Sequence, residues 1–185
     1  MPLPPTPPGE LMSKQHILEL FSAALILILL SVPSFSAGEK LLVGATTDKG
    51  NVQEIAQDPT FYIAIASYYV KQQNYLLAER LFAYAVTLDP KNERSLSNLA
   101  IVSHINKDYE TAIPTLETLI NQYPNKATYH YDLAINLADQ VRAGRAPFSQ
   151  IDRAINEFSE ANRLEPGYLY AKENIAALTQ IKLQN

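Results

Sequence analysis

The residues of this chain with the chemistry to bind a metal or move a proton are few. Beyond the first 50 residues there are two histidines, His104 and His130, with scattered carboxylates and hydroxyls around them. A metal centre or a general acid–base pair needs several such groups at offsets that make them converge. His130 and Asp132 stand at i and i+2, which on a helix turns them to different sides. Ser149 and Asp152 stand at i and i+3 before an apolar-periodic run, the pattern of a helix cap rather than of a nucleophile and its base. There is no cysteine, which removes disulfides, a thiol nucleophile and thiolate-bound zinc. No G-x-S-x-G, phosphate-cradling glycine loop, dinucleotide glycine pattern or H-E-x-x-H occurs. The expectation is a chain that is not an enzyme, with no catalytic residues, no metal and no cofactor. Its histidines are expected to be structural.

The net charge of −4 and the dispersed Lys and Arg argue against a nucleic-acid binder. All 11 tyrosines lie between Tyr62 and Tyr170. Tyrosine fills large packing positions while keeping a polar tip, which suits interfaces between helices and the walls of grooves.

The elements that must position these side chains are announced by a repeat. Tyr75, Ala78, Phe82, Ala85 and Pro90 return 34 residues later as Tyr109, Ala112, Leu116, Leu119 and Pro124. After an insertion of eight residues they return as Ile151, Ala154, Phe158, Ala161 and Pro166. A period of this length predicts stacked helical hairpins in place of one globular core. Each hairpin begins with an apolar face: Tyr62, Ile65, Ala66 and Tyr69 at i, i+3, i+4, i+7, then Leu96, Leu99 and Ala100, then Leu133, Ala134 and Leu137. Asn74, and then Asn106-Lys107-Asp108, mark the tight turns. Pro90 and Pro124 end the second helices by pushing the preceding residue out of the helical region. Small residues have a mechanical reason: Ala66, Ala78 and Ala85 let backbones approach, and larger groups there would overpack. The second hairpin's return helix is expected over Tyr109 to Gln122. The third hairpin departs from the period between residues 142 and 150, where Arg142, Arg145 and Phe148 stand either as a contact point or as a tolerated loop. Ser149 is expected to cap the next helix, which runs to Leu164. A last helix, from Tyr168 to about Lys182, carries the stripe Ala171, Ile175, Leu178, Ile181 and reads as a cap on the array.

Ahead of the repeats, residues 1–37 hold a proline-rich start, Lys14, an apolar run from Leu20 to Val32, Pro33 and the small residues Ser34, Ser36, Ala37 and Gly38. This is the anatomy of a signal peptide, with a membrane anchor and a buried helix as alternatives. Met12 would make a better start than Met1, because it omits the proline prefix. Residues 38–58 read as a linker.

The hairpin residues resemble the tetratricopeptide repeat family, whose pattern puts a large residue, Leu, a small residue and Tyr on the first helix, Ala, Phe and Ala on the second, and Pro at the end. Tyr62, Ile65, Ala66, Tyr69, Tyr75, Ala78, Phe82, Ala85 and Pro90 follow it closely. The second copy departs at Ser103, Leu116 and Leu119, and the third is split by the insertion. The resemblance implies an all-α, right-handed helical-hairpin solenoid over 59–185, with repeats at about 59–92, 93–126 and 127–167 and a capping helix at 168–183. It also implies a concave groove lined by the first helices. Carried onto this chain, the groove residues are Ile63, Ser67, Val70, Arg94, Asn98, Ile101, Tyr131 and Ile135, with His104 and Asp132 among their neighbours. Some relatives clamp a C-terminal carboxylate with Lys and Asn. Ile63 and Ser67 occupy those first-repeat positions, so that clamp is expected to be absent. Together these features imply a non-catalytic scaffold outside the cytoplasm that holds a peptide or protein segment in its groove. Such a chain is secreted or periplasmic, or is anchored to the membrane through the N-terminal segment if uncleaved. The alternatives are a self-associating structural subunit of an envelope assembly, or an accessory to an envelope enzyme.

Overall fold

The first two hairpins are set by side chains at their turns. A computed structural model describes residues 57–184; the segment expected to be a signal or anchor, and most of the expected linker, lie outside them. The described residues fold into α1 (Pro59–Lys71), α2 (Tyr75–Leu88), α3 (Glu93–Ile105), α4 (Tyr109–Gln122), α5 (Ala127–Arg142), α6 (Gln150–Leu164) and α7 (Ala171–Leu183), with no strand among them. Asp58 caps α1 by accepting the Thr60 N–H at 2.8 Å, and Pro59 follows where a missing N–H costs nothing. Asn74, Asn92 and Asp108 cap α2, α3 and α4 through the N–H groups of Leu77, Ser95 and Thr111. Asp89 before Pro90 is extended, at φ −140°, so α2 stops there.

The first helices of the three hairpins end alike. Asn74 N–H donates to Tyr69 O and Gln73 N–H to Val70 O. The same double bond recurs from Asp108 to Ser103 with Lys107 to His104, and from Arg145 to Gln140 with Gly144 to Val141. This is a Schellman ending, which needs a left-handed residue: Gln73 at φ 58°, Lys107 at 60° and Gly144 at 68°. In the first two hairpins the residue after it also caps the next helix. Arg145 has no side-chain acceptor, so the third hairpin cannot turn as tightly. The inserted residues instead lengthen α5, which has 16 residues against 13 in α1 and α3, and the connection after it.

Three expectations need correction. Ser149 is helical, at φ −57°, and makes no capping hydrogen bond. The entry to α6 is closed by the N–H groups of Gln150 and Ile151 bonding to the carbonyls of Pro147 and Phe148. The last helix begins at Ala171, not Tyr168, because Gly167 and Leu169 both take positive φ. Ile181, the final member of its stripe, is exposed. Pro114 lies inside α4, where the helix continues through it at an exposed position.

The interior is a chain of clusters, not one core. The first packs Ile63, Ala66, Ala78, Phe82 and Ala85 against Leu99 and Val102 of α3. The second joins Leu96, Leu116 and Leu119 to Tyr129, Leu133, Leu137 and Ala154. The third packs Tyr131, Ala134, Phe158 and Ala161 against Ala171 of α7. The alanines at the close approaches are fully buried, as the repeat requires. A buried polar contact crosses between the first and second hairpins. Glu79 of α2 accepts the Ser103 hydroxyl at 2.5 Å and the Asn106 amide at 2.5 Å. Ser103 stands where the first repeat has Tyr69, and this contact explains the departure.

Candidate functional site

The first helices of successive hairpins stand side by side and are tied across their edges. At one end of α3, Glu93 accepts hydrogen bonds from Lys126 and from the Tyr129 hydroxyl. Those two donors hold its carboxyl below the usual range. At the other end, His104 Nδ1 lies 3.1 Å from Asn136 Oδ1, and its Nε2 lies 3.8 Å from Asp139 Oδ2. Between α5 and the cap, the Asn174 amide donates to the Tyr131 hydroxyl at 3.2 Å, and Thr128 and Tyr168 hydroxyls meet at 2.8 Å.

The residues expected to line the groove divide on this frame. Ile63 is 2% exposed and Tyr131 9%; both are held in the core clusters and offer no free surface. Ile63 is covered by α3, and the Tyr131 ring is enclosed by Phe158 and Tyr168 at centroid distances of 5.2 and 5.6 Å. Val70 and Ile135 are half-buried against the first and third clusters. Ser67 and Asn98 are also half-buried, and they spend donors on carbonyls one turn back, those of Ile63 and Arg94. Arg94 is exposed. Ile101 is 51% exposed. Its neighbour one turn on, Ile105, is 44% exposed and was missed in the sequence, although the i, i+4 spacing from Ile101 was the signal for it.

An open cleft of about 420 Å³ lies beyond this pair, walled by His104, Ile105, Tyr109, Asp139 and Arg142. The insertion closes one side of it. Arg145 donates to the Lys107 carbonyl at 2.8 Å, and its guanidinium sits 5.9 Å from the centre of the Tyr109 ring. Arg142 pairs with Asp139 at 2.8 Å. Both arginines of the insertion are thus engaged within the chain. The other histidine, His130, is buried with Nδ1 2.7 Å from Glu157 and Nε2 3.0 Å from the Pro124 carbonyl.

One carboxylate on this face stands apart. Asp132 of α5 is half-buried, and burial pushes its carboxyl up to about 6, with the His104 charge pulling the other way. Among the described residues, no three His, Cys, Asp or Glu side chains gather as a metal site. The chemistry this face offers is apolar contact, hydrogen bonding and charge.

No family model matches the chain, and no curated protein matches it. Solved structures do. MamA from Desulfovibrio magneticus RS-1, residues 41 to the end, is 19% identical with a TM-score of 0.60, covering 68% of this chain and 67% of that one. The first TPR of Spaghetti (RPAP3), bound to the HSP90 peptide SRMEEVD, is 15% identical with a TM-score of 0.58, covering 69% and 95%. A Thermobaculum terrenum O-GlcNAc transferase mutant is 22% identical at a TM-score of 0.52; the match covers 65% of this chain but only 22% of that enzyme. The fold is an all-α solenoid of tetratricopeptide-type hairpins.

Proposed function

We propose that this chain is a non-catalytic scaffold for protein–protein interaction, working outside the cytoplasm and holding a peptide or protein segment along the face formed by α1, α3 and α5. The observation that carries the reading is the pair Ile101 and Ile105, large apolar side chains left in water one turn apart on a face whose other apolar groups are buried or half-buried. Apolar side chains beside a few polar groups favour an extended or helical segment seated by its own side chains. The similarity in fold to a repeat domain bound to a peptide supports the same use of this face. The location rests on the leader pattern of basic start, apolar run and small residues before residue 38.

The test is capture by the full chain against a variant carrying Ile101→Asp and Ile105→Asp. Both positions are exposed, so helicity should be unchanged. The wild type should retain partners that the variant loses. Equal capture by the two folded proteins would remove this face from consideration. N-terminal sequencing of the exported protein should begin between about Ser36 and Lys40; a protein found wholly in the cytoplasm would remove the location.

A further inference from the structure

We propose that the face between α3 and α5 selects segments carrying a cationic side chain, a lysine ammonium or an arginine guanidinium, flanked by apolar residues, and that Asp132 is the anchor for that cation. The inference rests on the reading of this face as a binding groove.

It begins from how the acids of this chain are used. Glu79 is held by Ser103 and Asn106, Glu93 by Lys126 and Tyr129, Glu117 by Arg153, and Asp139 by Arg142. Glu157 faces His130, Glu160 pairs with Arg163, and Asp89 and Asp108 accept backbone N–H groups. Among the described residues, every buried or half-buried acid has such a partner except Asp132. Among the described residues, none makes a hydrogen bond or ion pair to its carboxylate. The charge that bears on it is that of His104. That ring already has Asn136 at one nitrogen and Asp139 near the other.

A carboxylate taken partly out of water with no donor costs stability, as its raised proton affinity also indicates. A donor arriving from a partner would remove that cost. A cationic donor does so best, because charge-assisted hydrogen bonds are short and strong and the low-dielectric wall strengthens the attraction. A neutral residue seated there would strip the remaining water from the carboxylate and give nothing back. An acidic residue would be repelled. The surroundings fix the rest of the segment. Ile101 and Ile105 are exposed on α3, and Ile135 lies three residues from Asp132 on the same side of α5. Apolar residues on either side of the cation would cover these side chains. The preference is opposite in charge to that of a site for an acidic chain end, and Ile63, buried at the first-repeat clamp position, supplies no cation for one.

The experiment uses the full chain and a positional-scanning library of ten-residue peptides, with pools fixed at one position as Lys, Arg, Glu or norleucine among apolar residues. Binding is read by fluorescence anisotropy against the wild type, Asp132→Asn and Ile101→Asp. The Lys and Arg pools should bind the wild type at least tenfold more tightly than the norleucine pool, and the Glu pool more weakly still. Asp132→Asn should bring the Lys pool to within about twofold of norleucine, and Ile101→Asp should weaken every pool. Cationic pools no tighter than norleucine, or a preference that persists in Asp132→Asn, overturn the inference. So does a library in which no cationic pool binds. Pools that bind equally yet are lost with Ile101→Asp would overturn the cation while leaving the groove. Binding indifferent to both substitutions would overturn the groove itself.

Discussion

Asp132 also has a signature in the free protein. Its carboxyl is raised by burial from 3.8 to about 6. The native state therefore binds more protons than the unfolded chain between about pH 4 and pH 6, and stability falls as pH rises through that window. Above it the ionised group costs about 3 kcal/mol. Asp132→Asn should raise stability by about that much at pH 7.5 and by little at pH 4, in urea titrations at both values. A gain independent of pH would mean that the substitution acts through packing instead. Glu79 makes the opposite case, a buried acid fully used. Ser103→Ala should cost about 1–3 kcal/mol, because a buried acceptor loses its donor; an unmoved midpoint would show that water replaces the hydroxyl. The sequence placed Asp132 and Ile101 on one face of the first helices, because the 34-residue shift carries a position from one first helix to the next. It misjudged Ile63 and Tyr131. Whether a residue on that face is open or covered depends on how close the neighbouring helix stands, and periodicity along one helix does not contain that distance.

Elements were legible where a local group decides them. Asn74, Asn92 and Asp108 each have a side-chain oxygen that accepts an N–H, and Pro90 and Pro124 bar further helix, so the limits of α2, α3 and α4 follow from residue type. They were illegible where backbone conformation decides without a diagnostic residue. Leu169 takes φ 42°, which nothing about leucine announces, and it delays α7 by three residues from the expected start. Gln73 and Lys107 pose the same problem at the Schellman turns. A left-handed conformation costs a residue with a Cβ about 1–2 kcal/mol, part of which glycine returns through the greater entropy of the unfolded chain. Lys107→Gly should therefore stabilise by up to about 1 kcal/mol, and the Arg145 bond to the residue 107 carbonyl survives the change. Pro114 gives a larger test. It forfeits one hydrogen bond inside α4, so Pro114→Ala should raise the thermal midpoint, by a free energy of up to about 3 kcal/mol. A lowered midpoint in both variants would mean that the α3–α4 hairpin is held by something other than its backbone.

The whole described array is a row of neighbours in which each hairpin is covered only by the next. Three clusters follow one another along it, and each draws residues from two successive units. In such a row stability is the sum of each unit's own folding and its contact with the adjacent one, so damage at one end should fade toward the other. The end that matters is α7. It seals the third hairpin with Ala171, Ile175 and Leu178, while Lys172, Glu173, Thr179 and Gln180 face water. Lys182 pairs with Asp152 near the start of α6, and Tyr168 packs on Tyr131. Removing residues 168–185 would uncover Tyr131, Ala134, Phe158 and Ala161 together, an apolar patch on a helix pair that has lost its partner. The truncated chain should melt at a lower temperature and tend to aggregate. Amide exchange adds the spatial prediction: protection should fall in α5 and α6, less in α3 and α4, and least in α1 and α2. Uniform loss across all hairpins would mean one cooperative block in place of a row. Unchanged melting and exchange would reduce α7 to a tail, and the third cluster would then have to hold without its cover.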